Sequence, residues 1–156
     1  KWFETQDQIS YYKEFEKEKV AWLNLNRKWK FSFVEPGIYC EASLNFLSSN
    51  EYSKVLTGIL SSKVILWYFK QIGRMHDRGG FMCKIDTFRA MPIPSITTEN
   101  KNIYANLEVV VNEIIMLIKE NKETPSVLEE ELNNLCYKLY RLSNEEISLI
   151  EQECLF

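Results

Sequence analysis

Two short stretches hold the side chains best suited to chemistry on a polyanion. NLNRKWKF, residues 24–31, places Asn24, Asn26, Arg27, Lys28 and Lys30 around Trp29. RMHDRGGFMCKIDTFRAMPIP, residues 74–94, carries Arg74, His76, Arg78, Lys84 and Arg89, a Gly79-Gly80 pair, and then Pro92 and Pro94. Lys and Arg neutralise phosphates, while Arg and Asn match the hydrogen-bonding edges of guanine and adenine. The glycine pair would let a loop enter a groove, and the prolines would stiffen its base. These ten polar residues form the candidate DNA-contacting set. Charge alone leaves a plainer reading open, because short basic runs are common on solvated hairpins. Trp29 reads more simply as a packing residue, His76 beside Asp77 as a surface imidazole, and Tyr39, Phe69 and Phe81 as core.

Other chemistries fare worse. A hydrolase triad would have to use His76, and no G-x-S-x-G surrounds any serine. Walker and G-x-G-x-x-G loops are missing too. Asp86 with Glu99-Asn100-Lys101 has the outline of a metal-dependent nuclease site, but Glu120-Asn121-Lys122 repeats the Glu-x-Lys pattern by chance. Glu129, Glu130 and Glu131 read as first-turn helix residues suited to the positive end of the dipole. Cys40, Cys83, Cys136 and Cys154 form no CxxC pair, so they read as reduced, partly buried thiols rather than zinc ligands.

The elements that must position the basic stretches follow from texture. Residues 1–18 are polar and read as a linker that leads in. KVAWLNL and KFSFV alternate apolar and polar residues and predict strands, Pro36-Gly37 predicts a turn, and IYCEASLNFLSS continues extended. Asn50 would cap a single buried helix over about 51–72, closed by Gly73. FMCKIDTF returns to strand texture, and Pro92 and Pro94 keep the chain extended. Beyond that, Tyr104, Leu107, Val111, Ile114, Ile115 and Ile118 make a helical stripe. Ser126 with Glu129, and Ser143 with Glu146, match capping boxes, so helices are expected from about 127 and 144. The first of these would line one side with Leu128, Leu132, Leu135, Leu139 and Leu142. The expected fold is α+β: a strand-rich recognition part with one buried helix over 19–98, then a segment of about three helices over 99–156.

Charge follows the same division. Residues 19–98 carry 11 Lys and Arg against 5 Asp and Glu, whereas residues 101–156 carry 5 against 11. The net charge of −3 therefore hides a basic first part able to meet a polyanion. Hydrophobic residues at 46% and charged residues at 26% describe an ordinary soluble globular chain. No apolar run reaches a membrane span, so a cytoplasmic protein with no membrane partner is expected. The chain starts on Lys rather than Met, which reads as a piece of a longer protein.

Several stretches together resemble a known family. They are NFLSS (45–49), GILSSKVILWYFKQIG (58–73), FRAMPIPSI (88–96) and LEEELNNLCYKLYRLSNEEISLIE (128–151). Their order and spacing over about residues 19–152 resemble the TaqI-like C-terminal specificity domain, the target-recognition part of adenine-specific methyltransferases in type IIG and related restriction–modification systems. The resemblance implies that double-stranded DNA is clamped between this part and a methyltransferase domain of the same parent chain. That domain would flip the adenine and use S-adenosylmethionine. The Asn-Pro-Pro-aromatic motif of that catalytic site is missing here, so this piece is expected to bind DNA without catalysis and to hold no cofactor itself. Two alternatives stay open: a protein–protein interaction module working through the helical tail, or a recognition domain of a type I specificity subunit.

Overall fold

A computed structural model describes residues 10–49, 51–76 and 79–154, and strands come first in the chain. A short 3-10 helix, Tyr12–Glu16, precedes β1 (Lys19–Leu23), β2 (Leu25–Asn26), β3 (Ser32–Val34) and β4 (Leu44–Ser48). Helices α1 (Ser53–Ser61) and α2 (Lys63–Ile72) follow, then the hairpin of β5 (Arg74–Met75) and β6 (Phe81–Met82). The chain finishes with α3 (Ile85–Arg89), α4 (Lys101–Lys119), α5 (Ser126–Leu139) and α6 (Asn144–Glu153). The fold is α+β, with two small antiparallel sheets ordered β3–β1–β4 and β2–β6–β5.

β1 is the central strand of the first sheet, and Lys19, Val20, Ala21 and Trp22 are all buried on it. Simple alternation fails because both faces are covered. Val20 and Trp22 face the main core. On the other face Ala21 pairs with Phe46, whose ring lies 5.0 Å from Phe15 of the 3-10 helix. Lys19 ends buried, its Nζ donating to the Glu35 carbonyl at 3.0 Å.

Six rings join the two sheets to α2 and α3. Trp22 lies 4.8 Å from Phe88, Trp29 lies 5.0 Å from both Phe31 and Phe69, and Phe81 sits 5.3 Å from Trp29. Such pairs add about 0.5–1.5 kcal/mol each beyond the area they bury. Trp29 is thus a packing residue, with its Nε1 donating to the Leu60 carbonyl at 2.8 Å. Phe69 and Phe81 are core, as expected. Tyr39 is not: it is 64% exposed and its ring lies over Phe15 from the outside.

The expected helix over 51–72 is two helices. Ser62 between them adopts an extended backbone, φ −70° and ψ 157°, and is buried. The break is satisfied from a distance: Asn133 on α5 accepts from the Lys63 N–H at 2.8 Å, and the Ser62 hydroxyl donates to the Ile59 carbonyl. Asn50 lies outside the described residues; Ser49 Oγ accepts from the Tyr52 N–H near the start of α1. FMCKIDTF is strand only at Phe81–Met82, and its second half turns into α3, which drives Phe88 into the aromatic cluster. Ser126 lies inside α5, one residue too late to cap it, and Pro125 occupies the cap position. The Ser143–Glu146 capping box forms in full.

α4 packs against α1 and α5, and α6 packs against α2, so one apolar cluster runs from Val20 to Cys154. Gly58 on α1 allows the closest approach: a methyl there would overlap Val111 of α4 and come within 3.0 Å of Leu132 of α5. Gly58→Val should lower unfolding free energy by about 1–3 kcal/mol, read by urea denaturation; an unchanged midpoint would contradict this packing.

All four cysteines are free thiols. Burial pushes the Cys83 thiol up to about 11 and Cys136 up to about 12, with hydrogen bonds to Asn26 and Ser62 offsetting part of the effect. The unfolded chain releases these protons near its ordinary value of about 8.5. Stability from them is therefore complete below that pH and drains away as pH climbs toward the folded values. The urea midpoint should fall once pH passes about 9, and Cys83→Ala with Cys136→Ala should soften the early part of that fall. A midpoint flat through this range would refute the burial of both thiols.

Candidate nucleic-acid interface

The second sheet brings the two basic stretches together. β2 belongs to NLNRKWKF, and it pairs with β6, which in turn pairs with β5. Leu25, Met82 and Arg74 are cross-strand partners on one face, and Asn26, Phe81 and Met75 on the other. Asn26 and Phe81 are buried, while Leu25 and Arg74 are exposed, so the Leu25–Met82–Arg74 face looks outward.

The β5–β6 turn depends on glycine. His76 N–H donates to the Gly80 carbonyl at 3.0 Å, and Gly79 N–H donates to the His76 carbonyl at 2.9 Å. Gly79 and Gly80 have φ of +79° and +108°. A Cβ at Gly80 would sit 2.8 Å from the Asn26 carbonyl oxygen and 3.6 Å from the Arg27 Cα. The hairpin tip thus presses against the start of the Arg27-Lys28 turn.

The Cys83 backbone holds this sheet to the first one. Its N–H donates to the Asn24 carbonyl at 2.8 Å. Its carbonyl accepts from Trp22 Nε1 on β1 and from Asn45 Nδ2 on β4, both at 2.9 Å. Asn45 also donates to Asn24 Oδ1 at 2.5 Å.

The candidate residues therefore separate. Arg27, Lys28, Lys30, Arg74 and Lys84 are exposed, and none forms an ion pair among the described residues. Arg74 and Lys84 line an open depression of about 260 Å³ with Ile72, Met82, Asp86 and Thr87. Arg89 stands beside it on α3, 3.4 Å from Asp86. Asn26 turns inward, with its amide nitrogen 3.9 Å from the Cys83 sulfur. Asn24 is engaged by Asn45. His76 is half-buried in the turn, and Arg78 lies outside the described residues.

Charge counting does not find Ile72, Met82, Asp86 or Thr87. Asp86 and Thr87 sit in a stretch with strand texture, and only the turn into α3 brings them beside Lys84. Among the described residues no group of three or more His, Cys, Asp and Glu side chains could hold a metal ion, and no helix is long and apolar enough to cross a membrane.

Gly80→Ala should be costlier than Gly37→Ala. Both positions have positive φ, which costs a non-glycine residue about 1–2 kcal/mol, but a Cβ at Gly37 meets nothing within 4 Å. Thermal denaturation should rank the variants in that order. Equal losses would mean that the hairpin tip does not press on β2.

Comparison with known proteins fits this geometry. No curated protein matches the chain. A model of the TaqI-like C-terminal specificity domain family matches residues 1–93. The match takes in the lead-in segment and all ten candidate polar residues, and stops before α4, α5 and α6. The resemblance read from residues 128–151 thus lies beyond it. Specificity domains of this kind serve DNA target recognition in restriction–modification systems and are not themselves catalytic. Matched over more than half its length, with its strands and cationic hairpin inside the match, the chain belongs to the TaqI-like C-terminal specificity domain family.

Proposed function

We propose that the chain is the sequence-specific double-stranded DNA recognition part of a restriction–modification adenine-N6 methyltransferase of the type IIG kind, and that the β2–β6–β5 sheet meets the duplex. The observation that carries this reading is that Arg74 on β5, Arg27 and Lys28 just past β2, and Lys84 just past β6 are all exposed around one small sheet, each without a carboxylate partner among the described residues. A cation without an intramolecular partner gives up only water and counterions when it meets a phosphate. Lys63, by contrast, is held by Glu151, and Lys70 donates to the Glu153 carbonyl. The Lys63 charge is offset within the fold, and the Lys70 ammonium is engaged there.

In this reading Arg27, Lys28, Lys30, Arg74 and Lys84 contact phosphates and base edges, with Arg89, His76 and Arg78 nearby in sequence. Asn26 supports the sheet from inside, and Asn24 ties it to β4. The parent chain supplies the methyltransferase domain and binds S-adenosylmethionine, and the whole acts in the cytoplasm. Exposed Val109 and Met116, one heptad apart on α4, favour a protein contact for the helical part, which suits a neighbouring domain of the parent.

Arg27→Ala, Arg74→Ala and Lys84→Ala combined should weaken duplex binding most at low salt. Fluorescence anisotropy across a salt series should show the slope of log affinity against log salt falling by about 2.7, at about 0.9 per lost phosphate contact. An unchanged slope would remove this sheet from the interface.

A further inference from the structure

We infer that Asp86 is a specificity-determining residue, accepting a hydrogen bond from the exocyclic amino group of cytosine or adenine in the major groove. This rests on the DNA-recognition reading above and deepens it. Asp86 is the one acid among the six residues lining the Arg74–Lys84 depression. Its side chain is 84% exposed, so neither burial nor core packing explains it. On a surface that meets phosphates a carboxylate opposes binding. It is useful there only against a donor, and in the major groove the bases offer two, cytosine N4 and adenine N6.

The surroundings suit that role. Asp86 Oδ1 accepts a long hydrogen bond from Arg89 Nη1 at 3.4 Å, and both side chains stay open to solvent. Oδ2 has no partner among the described residues. Arg74 and Lys84 flank it as phosphate or guanine contacts, and Ile72 and Met82 form an apolar wall on which the non-polar part of a base edge can rest. The competing role is local: Asp86 stands in the first turn of α3, a helix of only five residues.

The experiment is selection from a randomised duplex library with the full parent protein, wild type against Asp86→Ala and Asp86→Asn. Wild type should enrich one sequence. Asp86→Ala should lose preference at a single cytosine or adenine, with discrimination there falling about ten- to a hundredfold, while affinity for unrelated duplex rises. Asp86→Asn, which keeps an acceptor oxygen, should retain part of the preference. Replacing the selected base by its analogue without the amino group (pyrimidin-2-one for cytosine, purine for adenine) should weaken wild type and leave Asp86→Ala unaffected. If wild type enriches a sequence and Asp86→Ala enriches the same one undiminished, Asp86 is a bystander and the inference falls while the recognition reading stands. If wild type enriches nothing, both fall.

Discussion

The backbone of Cys83 is the constraint on which the rest of the arrangement depends. Two-residue strands are too short to hold a hairpin in water by themselves. β2, β5 and β6 are all of that length. What fixes them is the backbone of one residue: the Cys83 carbonyl receives Trp22 and Asn45 from two strands of the other sheet, and the Cys83 N–H donates to Asn24. Leaving a buried acceptor without its donors costs about 1–3 kcal/mol, far more than the net gain of an average hydrogen bond. Slippage of the hairpin would orphan that carbonyl and pull Phe81 from the aromatic cluster. The cations of Arg74, on β5, and Lys84, at the start of α3 just past β6, are therefore carried on a fixed support, although the strands beside them are the shortest of the fold.

The division of charge along the chain becomes a division of labour in space. The last helix turns some of its carboxylates onto α2: Glu151 reaches Lys63, and Glu153 accepts from Trp67. Both basic residues of α2 are engaged, Lys63 by a carboxylate and Lys70 by a backbone carbonyl, whereas Arg74 of the second sheet has no ion-pair partner among the described residues. A weakly acidic chain can in this way keep exposed cations around the second sheet, while α4, α5 and α6 pack on α1 and α2.

Much of this was legible in the residues. Strands before helices, a packing role for Trp29 and the capping box at Ser143 each follow from local chemistry, and each is formed. The failures share a cause, which is information from far along the chain. The helix break at Ser62 is stabilised by Asn133, seventy positions away. α3 forms in strand-like sequence because Phe88 has an aromatic cluster to enter. Asn24 and Asn26 have the right chemistry for base edges, yet composition cannot tell which way a side chain points, and both are engaged within the sheets. Asp86 suggests only a metal ligand in the sequence, because counting positive charge passes over the acid among the bases.

The most direct test of the central claim is amide-resolved NMR of the protein titrated with a DNA duplex at low salt. The account predicts that the largest shifts fall on residues 25–28 and 74–84, with α5 and α6 nearly silent. Shifts confined to α4, α5 and α6, with the second sheet unmoved, would contradict it.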